Sequence, residues 1–489
     1  MQNSNNRGKR SKGMAIVLTT LSMSLILPLM GLGFDVSTLY LIRSKLSAAA
    51  DSAALAGARA LAQGANASAQ EANAISTAQT FFSANFPTGY WRSTGSAATV
   101  AVDDTSTANY RVVSVTASVQ APLYFLRVFN QQVSTVQVAS KAGRRDVMLM
   151  MVLDRSDSMN GVVAGTGQTA CALMKADASA FVNYFAPGRD QLGLVAFGSS
   201  VFTYQSSTSF TTPDANGNTI QSLIAQITCG DNTASAAAMA SAYAELQRVN
   251  DRNRMNVIVF MTDGRPNGVT ANYALGTVNG NCSLPANTNG VIAQWAGGAV
   301  TSGTTAGVMP ATTTSVTFPG GSSAISGSRN CNFDADVTTV YKDIPNLPAQ
   351  DAFTNLTSGP YSNQNSAVWP YNTPFNAIGG VSIPQQIVIA STNAVDNEAT
   401  QIRTNTTLNP FIYDIALEGD GPVSDQPDTM LLRKMANDPS LAADAGIGGT
   451  FYTQQIHQPH GYFAEAPDAS QLAVAFNTIA TQISVRLAQ

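Results

Sequence analysis

The sequence predicts an α/β protein: a doubly wound, mostly parallel sheet behind an N-terminal transmembrane helix and a small α+β domain. Three observations carry this. An uncharged apolar run fills positions 14–34, residues 98–140 alternate apolar and polar at period two, and from Asp146 onward short β-prone runs alternate with helical segments.

The anchor comes first. Arg7, Lys9, Arg10 and Lys12 precede the run Met14–Phe34, which at about 1.5 Å per residue is long enough to cross roughly 30 Å of hydrocarbon. The basic cluster upstream and Asp35 just downstream place the short tail in the cytoplasm and the rest outside, with Arg43 and Lys45 opposing that bias slightly. A cleaved signal peptide is the rival reading, but its apolar core is shorter and ends close to a small-residue cleavage site. A prepilin leader cut after Gly13 would put Leu18 where pilins usually carry Glu.

From Val36 to about Gln63 the chain is rich in helix formers and free of Pro, so the helix continues beyond the bilayer. Ala49, Ala53 and Gly57 recur every four residues on one face. Small residues at that spacing suit close packing, either in the domain's own core or in a homo-oligomer. The run Gly33–Leu61, with Asp35 and the DSAALAGA segment at Asp51–Ala58, resembles the N-terminal region of TadG-like proteins of Flp/tight-adherence (Tad) pilus assembly. The resemblance implies a bacterial inner-membrane, single-pass protein whose bulk is periplasmic or on the cell surface.

Between anchor and main domain, Val100 and Val102, then Val113, Val115, Ala117 and Val119, then Val136 and Val138 predict half-buried antiparallel strands. The apolar stretch Pro122–Phe129 predicts a helical turn packed on that sheet.

The larger domain opens with Asp146–Leu153, an apolar run of the kind buried on both faces of a parallel sheet. Strand Gln191–Phe197, a helix from about Thr233 to Val249, strand Asn256–Met261 and strand Phe411–Leu417 continue the alternation. Helices near Gln385–Arg403 and Thr429–Asn437 come next, with a closing unit from Gly461 to Arg486. In such sheets ligands bind beyond the carboxyl ends of the strands. Polar clusters stand there: Asp154-x-Ser156-x-Ser158 after the first strand, Gly230-Asp231-Asn232-Thr233 opening a helix, and Thr262-Asp263-Gly264 after the strand ending at Met261. Together they offer only oxygen donors, which suit a hard cation such as Mg²⁺ (or Mn²⁺) rather than a softer metal. The plainer reading is that these residues cap helices and turns.

The ordered set resembles the metal-ion-dependent adhesion site of von Willebrand factor type A domains. That resemblance implies that Asp154, Ser156, Ser158 and Thr233 face the ion, with Asp263 acting directly or through water. With no further protein ligand evident, one coordination position is left open for a carboxylate from a protein partner. The closing segment GYFAEAPDASQLAVAFNTIATQI, Gly461–Ile483, again resembles TadG-like proteins.

Cys171, Cys229, Cys282 and Cys331 show no zinc-type spacing. In an exported chain they form two disulfides, with Cys171–Cys229 plus Cys282–Cys331 one of the three connectivities. Residues from about Asn267 to Gly380, rich in Gly, Ser, Thr and Asn, form an insertion leaving the metal-bearing edge. In it Trp295, Trp369, Tyr361 and Tyr371 either anchor a partner or pack the insertion itself. The chain thus divides into a basic tail (1–13), a span (14–34), a helix with a small sheet (35–143), a first part of the main domain (144–266), the insertion (267–380) and a second part (381–489).

Charged residues make up 11% of the 489 and the net charge is −4, leaving no basic field for a nucleic-acid backbone. Catalysis is not expected: His457 and His460 are the only histidines and stand as solvated loop residues, and no general base accompanies the oxygen cluster for a hydrolase. The leading expectation is a pilus-assembly or anchoring component binding a protein through its metal. The alternative is a surface adhesin for a host or matrix ligand.

Overall fold

The computed structural model describes residues 7–163, 166–199, 201–230, 232–273, 288–294, 306–310, 332–333, 349–357, 383–418, 426–444 and 447–487. They form two compact units, Met1–Arg144 and Arg145–Leu487.

The first unit is built on one 54-residue helix, α1 (Arg7–Ala60). Its segment Met14–Phe34 is apolar and mostly exposed, and it is long and apolar enough to cross a membrane. Beyond it, Ile42, Leu46, Ala49, Ala53 and Ala58 are buried against α2 (Ala67–Asn85) and against strand β2 (Tyr110–Pro122). The small-residue stripe is spent inside this domain: a Cβ on Gly57 would stand 3.0 Å from Val113 Cγ1 and 3.1 Å from both Ala74 O and Ala78 Cβ. That face therefore packs on α2 and β2 and is not free for a second copy. β1 (Thr94–Thr107) pairs antiparallel with β2, and β3 (Val133–Arg145) lies on β2's other side, order β1-β2-β3. Period two is visible as burial, since Val113, Val115, Ala117, Val119 and Ala121 of β2 all turn inward. Arg111, fully buried among them, donates to Gln70 Oε1 and Leu61 O, both at 2.9 Å, and so ties the sheet to both helices.

Pro122–Phe129 departs from the expectation. Its single turn of 3-10 helix, Leu126–Phe129, is held by α1 rather than by the sheet, because Asp35 accepts three backbone N–H groups from the segment: Tyr124 (2.8 Å), Phe125 (3.0 Å) and Leu126 (2.8 Å).

The second unit is a doubly wound α/β domain. Its strands are β4 (Val147–Asp154), β5 (Gln191–Phe197), β6 (Val201–Ser207), β7 (Met255–Thr262), β12 (Phe411–Leu417) and β13 (Tyr462–Ala466), and their sheet order is β13-β12-β7-β4-β5-β6. All neighbours run parallel except β6, an antiparallel edge. Every residue of β4 is buried, as a central strand covered on both faces requires. Val147, Leu149, Met151 and Leu153 face α3 (Ala170–Phe181), α4 (Ile220–Gln226) and the last helix, α9 (Ala469–Leu487). Met148, Met150 and Val152 face α5 (Ser235–Val249), α6 (Ile383–Arg403) and α7 (Thr429–Ala436). A further helix, α8 (Ile447–Gln455), comes after α7.

Gly461 enters β13 where a Cβ would stand 1.6 Å from Ile412 O and 3.0 Å from Ala436 O, so no other residue lets β13 lie down on β12. Within 267–380, strands β8 (Gly268–Tyr273), β9 (Thr288–Gln294), β10 (Ala306–Pro310) and β11 (Asn332–Phe333) form a four-stranded sheet, order β11-β10-β9-β8. Within this stretch, residues 349–357 are pinned to α6, where Asn355 Nδ2 donates to Glu398 Oε2 at 2.7 Å and Leu356 N to Asn397 Oδ1 at 3.1 Å.

Candidate metal centre

Parallel pairing assembles the site. β4 and β7 are in register from Val147↔Met255 to Leu153↔Met261, so Asp154 and Thr262 leave the sheet side by side at its carboxyl edge. On the other flank Asp154 pairs with Phe197 of β5.

Asp154 is fully buried and organises the loop behind it. Its Oδ1 accepts the N–H of Ser156 at 2.7 Å, and its Oδ2 accepts the Thr262 hydroxyl at 2.5 Å. Ser156 and Ser158 share a hydrogen bond between their hydroxyls at 2.9 Å, and Ser158 Oγ donates to Asp263 Oδ1 at 2.6 Å. One chain of hydrogen bonds thus joins Asp154, Ser156, Ser158, Asp263 and Thr262. The alternating spacing achieves this because the loop is extended at Ser156 (φ −64°, ψ 171°) before a short 3-10 turn, Asp157–Asn160.

Thr233 reaches the same edge without joining that chain: its side chain makes no hydrogen bond to the other four. Its backbone is fixed instead. Thr233 N donates to Asn267 Oδ1 at 2.7 Å, and Thr233 O accepts Asn267 N at 3.0 Å and Gly268 N at 3.2 Å. The loop before it is sewn to the Asp154 loop by Gly230 N donating to Arg155 O (2.8 Å), and to the end of β5 by Ala234 N donating to Gly198 O (3.0 Å). Cys171 and Cys229 are disulfide-bonded, Cα atoms 6.2 Å apart, which clamps the approach to this loop onto α3. Asp231, Cys282, Cys331, Trp295, Trp369, Tyr361 and Tyr371 lie outside the described residues.

Three supporting residues escaped the sequence reading. The Thr262 hydroxyl holds Asp154, the Asn267 side chain holds the backbone of Thr233, and the Ser199 hydroxyl accepts from Asn232 Nδ2 at 3.0 Å. Only the Thr262-Asp263-Gly264 turn carried any sequence signal, and it pointed to Asp263. Of the two histidines, His457 is exposed in a turn, as expected, whereas His460 is a half-buried loop residue whose ring nitrogens lie 3.3 Å from Asn437 O and 3.0 Å from Ile456 O.

Electrostatically the site disfavours two ionised carboxylates. Burial raises the Asp154 carboxyl to about 6, against the opposing pull of hydrogen bonds from Ser156 and Thr262 and of the nearby Arg155 charge. Asp263 is pushed well above the ordinary carboxylate range by burial first and by the negative charge of Asp154 second. Two buried like charges cross-linked by hydroxyls are what a hard dication relieves, and the donors fit Mg²⁺ or Mn²⁺, which accept carboxylate and hydroxyl oxygens and retain water. Among the described residues no group of three or more His, Cys, Asp and Glu side chains converges. The donor set is therefore two carboxylates with hydroxyls, unsuited to softer metals.

Two family models match parts of this chain. Residues 149–265, spanning all five site residues, match the von Willebrand factor type A domain family, and residues 13–60 match the putative Flp pilus-assembly TadE/G-like family. No curated protein matches the chain. Similar solved structures include the pilus adhesin SpaC from Lactobacillus rhamnosus GG, with 11% identity over 80% of this chain and 34% of that one, at a TM-score of 0.36. The PilB minor pilin from Streptococcus sanguinis shows 12% identity over 80% and 79% of the two chains, TM-score 0.34. The vWF domain of the type V pili tip protein Mfa5 from Porphyromonas gingivalis shows 15% over 71% and 97%, TM-score 0.35. The chain spans about a third of the length of SpaC. By these family matches, a TadE/G-like N-terminal segment and a von Willebrand factor type A domain are combined in this one chain.

Proposed function

We propose that this protein is anchored in the bacterial inner membrane by α1, with its bulk outside the cytoplasm, and acts in Flp/Tad pilus assembly or anchoring by gripping a partner protein through a bound Mg²⁺ or Mn²⁺ ion. The observation that carries the reading is the buried pair Asp154 and Asp263 at the carboxyl edge of the sheet, each accepting a hydroxyl, Thr262 on Asp154 and Ser158 on Asp263. Asp154, Ser156, Ser158 and Thr233 would hold the ion, and Asp263 would act directly or through water. The ion would supply an open position for a carboxylate of the partner. This is binding rather than catalysis. The TadE/G-like match at 13–60 and the basic residues upstream of the apolar run support the anchoring and its direction.

A surface adhesin is the second reading, favoured by the rooting of residues 267–380 at the site itself: Asn267 holds Thr233, and β8 starts at the next residue. Complementation of a deletion strain with Asp154→Ala or Thr233→Ala separates the readings. Loss of pili at unchanged protein level, with the protein shielded from protease on intact cells, is the expected result. Normal piliation by both variants contradicts a metal-dependent role in assembly. Normal piliation with loss of binding to host or matrix surfaces, and digestion by external protease, establishes the adhesin instead.

A further inference from the structure

The first unit carries a second apolar surface beside α1. In the segment Leu123–Phe129 and the start of β3, Phe125 (48%), Val128 (84%), Phe129 (70%) and Val133 (53%) are exposed, while the apolar residues of β2 just before them are buried. The segment is not loosely attached. Asp35 accepts its three N–H groups, Phe34 meets the rings of Tyr124 and Phe125 edge-on at 5.6 and 5.9 Å, and Phe125 lies so close to Gly31 that a Cβ there would stand 2.4 Å from its ring. Gly31 is inside the apolar run, one helical turn before Asp35, so the Phe125 ring sits about 6 Å deeper along the helix than the first charge after the run.

We propose that Tyr124–Phe129 is a membrane wedge that enters the outer interfacial layer of the lipid bilayer beside α1. This rests on the reading of Met14–Phe34 as the membrane span. The occupant of the surface is lipid, because the surface is continuous with the exposed face of the span, where Leu27, Met30 and Phe34 would meet the same acyl chains. A depth of about 6 Å matches the roughly 5–10 Å to which apolar faces of interfacial elements sink. The neighbouring chemistry agrees. Arg127, exposed between Leu126 and Val128, has a stem long enough to return its charge to the headgroups, and Tyr40, 71% exposed, projects from α1 at interface height. Asp35 then has a definite role: its carboxylate spends itself on the backbone N–H groups of the turn, which lipid would leave unsatisfied. The wedge gives this domain two points of contact with the membrane and so fixes its tilt.

The test uses the full chain in proteoliposomes of phosphatidylethanolamine and phosphatidylglycerol. The photoreactive residue p-benzoylphenylalanine replaces Phe129, Val128, Leu25 or Thr107, one at a time. Thr107 lies at the far end of the β1–β2 hairpin, about 40 Å from the wedge at some 3.3 Å per residue along β2. All four side chains are exposed, so the replacements leave the packing intact. Lipid adducts, read by mass spectrometry, are expected at positions 128 and 129 in yields comparable to position 25, and none at position 107. Adducts at 25 with none at 128 and 129 overturn the wedge and leave the span standing. Cross-links from 128 or 129 to a second copy instead of lipid also overturn it. Absence of adducts at position 25 as well defeats the span, and the wedge with it.

Discussion

Glu398 of α6 shows how strongly burial governs single residues in the second unit. Only 3% exposed, it is raised to about 7 by burial, with the Asp351 charge acting in the same direction and the hydrogen bond from Asn355 opposing both. A carboxyl raised in the folded state binds its proton more tightly folded than unfolded. Its contribution to stability is therefore full below the unfolded value near 4.5 and is lost as pH climbs through about 7. Glu398→Gln keeps an oxygen for Asn355 and removes the titration. At pH 8 the variant is expected to be more stable than wild type by up to about 3 kcal/mol, and at pH 4 nearly equal to it. Urea unfolding at both pH values checks this, and parallel pH profiles for the two proteins contradict it.

At the scale of elements, the loops around the candidate site are positioned by strands on one side and by a covalent clamp on the other. The Cys171–Cys229 bridge closes a sequence separation of 58 residues just before the Gly230–Thr233 loop. Replacing both cysteines by Ala is expected to cost about 4 kcal/mol in the chain-entropy model and to weaken Mg²⁺ binding by loosening Thr233. Chemical denaturation and metal titration of the double variant measure the two effects separately. Unchanged metal affinity would show that Asn267, not the disulfide, sets the loop. Elements with a strong pattern were readable from the sequence: the unbroken apolar run of β4 announced burial on both faces, and β5 and β12 fall at the predicted residues. β6, an antiparallel edge strand of mixed polar and apolar residues, most of them half-buried, left no such trace. The turn at Leu126–Phe129 reads as apolar and so points to the sheet, because its anchor, Asp35, is some ninety residues away in sequence.

For the molecule as a whole, the fold class and the TadE/G-like beginning were open to reading because each rests on local pattern. The geometry of the candidate site was less so. Asp154, Ser156, Ser158 and Asp263 are recognisable as a spaced set, but the support from Thr262 depends on parallel register between β4 and β7, and that from Asn267 on a return of the chain past α5. Binding of a dication by this oxygen cluster is the central claim. Calorimetric titration of Mg²⁺ and Mn²⁺ into the purified full chain, beside an Asp154→Ala, Ser156→Ala double variant shown to be folded, tests it most directly. Saturable binding at one site by wild type and its loss in the variant is the predicted result. Equal binding by both proteins, or none by wild type, would contradict it.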